Sequence, residues 1–139
     1  MKQRNVILVI DDEPTLRETL KDLFTIHGYP TLLAADGNNG LELAHKYAPR
    51  LIVCDVNMPG MSGFEVARQL RKHPAARQTP FIFMSAAPPS GSSLSQLRLG
   101  LDAYMSKPFE QRKLLALVRD RLDLSNTMQQ RSTTGWVRN

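Results

Sequence analysis

Four places in this 139-residue chain set a chemically capable side chain at or just past the end of a short apolar run. Asp11 and Asp12 follow Val6–Ile10, Asp55 closes Leu51–Asp55, Ser85 closes Phe81–Ser85, and Lys107 stands just past Ala103–Met105. Brought together, these side chains make a cluster of three carboxylates, a hydroxyl and an ammonium. Two like charges 4 Å apart cost about 4 kcal/mol at an effective dielectric near 20. Such carboxylates must therefore take up protons or hold a cation. Hard oxygen donors suit Mg²⁺, which keeps several waters and leaves room for a phosphate oxygen. With Lys107 as a second positive charge and Ser85 as a donor, the set fits phosphoryl transfer, where catalysis is mostly positioning and charge neutralisation.

Convergence of residues so far apart in sequence depends on the elements that carry them. The apolar runs, with Thr31–Ala34 as a further one, are short, and several are continuously apolar, as strands buried on both faces are. Between them lie helical patterns. Pro14 suits a first helical turn, Leu16, Leu20, Leu23 and Phe24 recur at helical spacing, and His27-Gly28 ends that helix. Asp36-Gly37 turns into a second helix carrying Leu41, Ala44 and Tyr47. Ser62 caps a third with Phe64, Ala67 and Leu70 inward, and the last, from Glu110, buries Leu114, Leu117, Val118 and Leu122. Strict β/α alternation with short connections predicts an α/β fold: a doubly wound, five-stranded parallel sheet of flavodoxin-like order 2-1-3-4-5 with helices on both faces. In such sheets the ligand lies beyond the carboxyl ends of the strands, where the strand order reverses. All the residues above share that edge.

No G-x-x-x-x-G-K loop is present to cradle a nucleotide. The acidic Asp11-Asp12-Glu13 turn also argues against a ready-made phosphate such as that of FMN. A carboxylate nucleophile remains, and Asp55, at the end of its strand and facing the other acids, is the best placed.

Four segments, VILVIDDEP (Val6–Pro14), LIVCDVNMPGMSGFE (Leu51–Glu65), FIFMSA (Phe81–Ala86) and YMSKPF (Tyr104–Phe109), occur in order and with compatible spacing. In them the chain resembles the receiver domains of two-component response regulators, over about Asn5 to Leu124. The resemblance implies that Asp55 is the phosphoacceptor, that Asp12 is a direct Mg²⁺ ligand with Asp11 acting through water, and that the Asn57 backbone carbonyl is a further ligand. It also implies that Ser85 and Lys107 meet the phosphoryl oxygens and that Tyr104 is the switch aromatic. The phosphoryl donor would be a phosphohistidine on a sensor histidine kinase or a histidine phosphotransfer protein. The chain would then be a signalling switch rather than an enzyme, taking part only in its own phosphotransfer and autodephosphorylation. The Asn57 side chain stays open between an ordinary loop residue and one that orients an attacking water.

The chain departs from the family pattern between Ser85 and Gly100, where it reads AAPPSGSSLSQLRL. Pro88 and Pro89 exclude helix at their own N-termini and Ser90–Ser93 is flexible, so only about Ser93–Leu99 is expected to be helical. The usual signalling face is thereby short or late-starting, and ordering of this segment on phosphorylation or partner binding is expected. After Leu124 the composition turns polar and free of acids, which reads as a linker or tail over 125–139 following a receiver domain at 1–124, with a helical extension allowed at its start. No output domain fits in these residues, so a piece of a longer protein is favoured over a free-standing receiver.

Composition narrows the remaining classes. The single cysteine, Cys54, excludes an internal disulfide, fits a reducing cytoplasmic setting and reads as a small core residue. No signal peptide and no membrane span are read near Met1. The net charge of +5 is spread over presumed helix faces (Arg68, Arg71, Lys72, Arg112, Lys113, Arg119, Arg121), without interleaved aromatics, so no nucleic acid is expected to bind these residues. His27, His45 and His73 lack metal-ligand spacing, and Met58, Met61, Met84 and Met105 read as packing. Two other functions fit these residues less well. A haloacid-dehalogenase-like phosphatase also uses a strand-end Asp, but it wants an acid where this chain has Asn57. A receiver-like interaction module that is never phosphorylated would not need the complete acid, hydroxyl and lysine set.

Overall fold

The computed structural model describes the backbone of residues 5–134 and the side chains of residues 5–128. The strands are β1 (Ile7–Ile10), β2 (Thr31–Ala34), β3 (Leu51–Asp55), β4 (Phe81–Ser85) and β5 (Ala103–Ser106). The helices are α1 (Pro14–Ile26), α2 (Gly37–Tyr47), α3 (Gly63–Leu70), α4 (Gly91–Leu94) and α5 (Gln111–Thr134), with a 3-10 turn at Pro74–Ala76. All strands pair in parallel in the order β2-β1-β3-β4-β5.

Alternation along the strands sorts the core into two layers. Leu8, Ile10, Ile52, Cys54, Phe81 and Phe83 pack with Ala44 of α2 and with Val66, Ala67 and Leu70 of α3. Ile7, Val9, Leu51, Val53, Ile82 and Met84 point the other way, against Leu20, Leu23 and Phe24 of α1 and Leu114, Val118 and Leu122 of α5. Every residue of β1, β3 and β4 is buried, which is why those runs are continuously apolar up to the residue that carries chemistry. Each large side chain so buried contributes about 1.5–3 kcal/mol.

Local signals set the helix ends. Pro14 opens α1, and Gly28 beyond its end takes φ +86°, the left-handed region that glycine enters without steric cost. The Asp36 carboxylate accepts from the Asn39 N–H at the start of α2, and the Ser62 hydroxyl accepts from the Glu65 N–H at the start of α3. Tyr47 differs from expectation: it is exposed, because α2 ends there and the left-handed Ala48 turns the chain away. Leu117 and Phe64 are only half-buried, although both pack against the core.

Helix α4 is short, as expected, but it occupies Gly91–Leu94 rather than Ser93–Leu99. A capping box decides this: the Ser90 hydroxyl accepts from the Ser93 N–H while the Ser93 hydroxyl accepts from the Ser90 N–H. Helix α5 runs past Leu124 to Thr134, with Ser125 buried and Asn126 bonded to Arg50 and to Asn5. Among the described residues, no helix is long and apolar enough to cross a membrane.

Candidate phosphoryl-transfer site

Register brings the strand-end residues together. Ile10 of β1 lies beside Cys54 of β3, and Asp55 lies beside Met84 of β4, so Asp11, Asp55 and Ser85 finish on one edge of the sheet. The chain leaving β5 returns to the same edge, where the Lys107 N–H donates to the Ser85 carbonyl at 2.7 Å. The following Lys107–Pro108 peptide bond is cis. The ammonium of Lys107 then donates to Asp55 Oδ1 at 3.1 Å and to Asp11 Oδ2 at 3.2 Å.

Asp11 is buried, and its other carboxylate oxygen accepts from the Glu13 N–H at 2.9 Å. The Arg17 guanidinium donates to the Asp11 carbonyl at 2.8 Å, fixing the turn that leads into α1. Asp12 is exposed and Asp55 is nearly closed off from solvent. One oxygen from each of Asp11, Asp12 and Asp55 lies within 4.8 Å of the others. Burial pushes the Asp55 carboxyl above the ordinary aspartate range. Its hydrogen bond to Lys107 opposes this, and the charges of Asp11 and Asp12 add to it. Lys107 shows the complementary balance. Burial by itself would lower it, but the bond to Asp55 and the charges of Asp11 and Asp55 carry it upward, so it stays a cation. One lysine thus leaves the carboxylates short of positive charge. Clustered hard oxygens with an uncompensated negative charge are a donor set that fits Mg²⁺.

Ser85 is buried, and its hydroxyl accepts from Asn57 Nδ2 and from the Ala87 N–H, both at 3.1 Å. Both bonds use its lone pairs, so its own proton is free for an oxygen arriving from the carboxylate side. The phenol of Tyr104, on β5, donates to the Ala87 carbonyl at 2.9 Å. Ala87 therefore connects the Ser85 hydroxyl to Tyr104 through its two backbone groups. Gly63 lies against β3 so closely that a Cβ there would stand 2.3 Å from the Asp55 carbonyl oxygen. Its N–H donates to the Val56 carbonyl at 2.9 Å, drawing α3 onto the end of the strand that carries Asp55.

The profile of the response regulator receiver domain matches residues 7–119. The chain belongs to that family. Among curated proteins it is 35% identical, over 91% of its own length and 51% of the relative's, to the "Probable transcriptional regulator ycf27" of Galdieria sulphuraria. It is 36% identical to the "DNA-binding response regulator MtrA" of Mycolicibacterium smegmatis, over 88% of this chain and 51% of that protein. The receiver domain therefore spans about half the length of these relatives. Among solved structures it is similar to the receiver domain of the Francisella response regulator 1452, at 30% identity and TM-score 0.78, covering 87% of this chain and 98% of that one. It is likewise similar to the Vibrio cholerae chemotaxis protein CheY4, at 28% identity and TM-score 0.78, covering 84% and 98%.

Within the receiver domain, Asp11, Asp12, Asp55, Ser85 and Lys107 lie together, with Asn57 and Tyr104 in contact through Ser85 and Ala87. Cys54 is fully buried, and burial pushes its thiol well up, as suits a core residue. Sequence reasoning missed Asp102, which is buried and accepts from Arg71, from the Phe81 N–H and from the Arg98 N–H. It fastens the end of α3 and the start of β4 to the approach to β5. Removing one partner from such a buried pair typically costs about 3–5 kcal/mol. Its neighbours Leu101 and Ala103 give no sequence signal that the carboxylate between them is buried. His45 and His73, which lack metal-ligand spacing in the sequence, have ring centroids 4.4 Å apart.

Proposed function

We propose that this receiver domain is a phosphorylation switch, taking a phosphoryl group on Asp55 from a phosphohistidine of a sensor histidine kinase or histidine phosphotransfer protein. The observation that carries the reading is the convergence of the Asp55 carboxylate with Lys107, Asp11 and Asp12 at the carboxyl edge of the sheet. An Asp55 carboxylate oxygen attacks phosphorus, a P–O bond forms as the P–N bond breaks, and the imidazole leaves with the electron pair. Lys107 neutralises charge on the transferred group, and the Ser85 hydroxyl donates to one of its oxygens. Asp11, Asp12, Asp55 and the Asn57 backbone carbonyl would hold Mg²⁺, which when bound supplies the charge neutralisation that one lysine cannot.

The phosphoryl group adds about −1.5 to −2 charges beside two further carboxylates. Lys107 and Ser85 respond because charge-assisted hydrogen bonds are roughly twice as strong as neutral ones. Drawing the Ser85 hydroxyl toward the phosphate weakens its bonds from Asn57 and the Ala87 N–H. Ala87 then shifts, the Tyr104 phenol loses its acceptor and turns inward, and the α4–β5 face changes. Moving such an equilibrium from 1:99 to 99:1 takes about 5.5 kcal/mol, within reach of a few such bonds. The exposed Leu94 and Leu99 on this face suit an output module or a separate downstream protein as its reader. The setting is cytoplasmic in this reading.

Incubation with acetyl phosphate and Mg²⁺ followed by intact-mass measurement tests the proposal. One phosphoryl adduct, absent from Asp55→Asn, is expected. A protein that takes up no phosphate would instead be an interaction module with a receiver fold.

A further inference from the structure

The basic residues that look scattered in sequence are gathered by the fold. From Val66 to Leu101 the chain contains no Asp or Glu, and its cations are Arg68, Arg71, Lys72, Arg77 and Arg98. All five line one groove of about 430 Å³, formed where α3, the chain after the 3-10 turn and the segment after α4 meet. It is away from the carboxylate cluster, and nothing in the proposed phosphotransfer uses it.

Two of these cations are already matched. Arg71 pairs with the buried Asp102, and Arg68 pairs with Glu65 while also donating to Gln96. Lys72, Arg77 and Arg98 are exposed and, among the described residues, have no carboxylate within ion-pairing distance. Arg98 donates to the Arg77 carbonyl, so the two rims of the groove are tied with their charge unspent. The remaining lining is partly apolar, from Phe64 and Ala67, and Leu99, next in the chain to Arg98, is 94% exposed.

We propose that this groove docks an acidic segment of a partner protein, with apolar side chains set between carboxylates. Three unmatched cations around an apolar lining complement that pattern at both levels: carboxylates pair at the rim and a leucine or phenylalanine covers the lining. Nucleic acid is the weaker fit. The groove has no helix N-terminus or glycine-rich loop to bind phosphate through backbone N–H groups.

The test uses the whole chain labelled with nitrogen-15 and a short fluorescent peptide alternating glutamate with leucine and phenylalanine. Controls are a peptide with lysine in place of glutamate and single-stranded and duplex oligonucleotides of matched charge. Saturable binding of the acidic peptide is expected, with shift changes confined to α3, residues 72–79 and residues 94–100. Lys72→Glu/Arg77→Glu, both surface positions whose substitution should leave the circular dichroism spectrum unchanged, should weaken it by about tenfold or more. Tighter binding of an oligonucleotide at these residues would overturn the proposal. So would an acidic peptide that fails to saturate, or whose affinity survives the double charge reversal.

Discussion

At the residue scale the proposed function turns on how charge is balanced around Asp55. Its carboxyl is held above the usual range mainly by burial, with Lys107 offsetting only part of the cost. A carboxyl whose folded pKa exceeds its unfolded value contributes stability that is fully present below the unfolded pKa and is lost as pH rises through the folded one. At neutral pH, without a divalent cation, ionised Asp55 therefore works against folding. Asp55→Asn should raise the melting temperature of the metal-free protein by a few degrees, and the gain should shrink as pH is lowered toward the aspartate range. Differential scanning calorimetry across pH checks both. These residues were readable in the sequence because each closes or follows a buried apolar strand, so parallel register alone brings them to one edge. The path from Ser85 through Ala87 to Tyr104 was not readable. It runs through backbone groups of a loop, and no side-chain pattern encodes them.

At the element scale, the contact between α3 and β3 positions Asp55, the proposed phosphoacceptor. Gly63 is there because any Cβ would strike the Asp55 carbonyl, and that backbone cannot yield without moving the carboxylate. Gly63→Ala should destabilise the domain by about 1–3 kcal/mol, the usual cost of overpacking, as read from urea unfolding. The segment from β4 to α4 is held by little burial. Residues Ala86–Ser90 run between Ser85 and a single helical turn, and they bury almost nothing. Amide exchange over residues 86–99 should be fast in the unphosphorylated protein and slow on adding beryllofluoride, a phosphate mimic. Unchanged exchange would separate this segment from the switch. The sequence showed that α4 must be short, since Pro88 and Pro89 exclude earlier helix. It misplaced the turn because the Ser90/Ser93 box, a side-chain arrangement worth about 1 kcal/mol per cap, outweighed the poor propensity of Gly91.

At the scale of the whole molecule, the fold separates two electrostatic problems. The carboxyl edge of the sheet gathers negative charge that one lysine does not satisfy, and the groove between α3 and the segment after α4 gathers positive charge with few acids. Strand order and layering followed from β/α alternation. The groove could not be read in advance, because cations spaced irregularly over Val66–Leu101 meet only once the sheet order has set α3 beside the segment after α4. A cation that binds the folded state alone stabilises it by mass action, about 2.7 kcal/mol at one hundred times its dissociation constant. Mg²⁺ should therefore raise the melting temperature in a saturable way, and Asp12→Ala should abolish the rise while leaving the metal-free protein folded, because Asp12 is exposed.

The central claim is that Asp55 itself carries the phosphoryl group, and trapping the bond tests it most directly. An acyl phosphate is reduced by borohydride to the alcohol, so protein treated with acetyl phosphate and Mg²⁺ and then with borohydride should be modified at residue 55. Peptide sequencing by mass spectrometry should find homoserine there and aspartate at positions 11, 12 and 102. Homoserine at another carboxylate, or aspartate unchanged at residue 55 in a protein that had gained a phosphoryl group, would contradict the account.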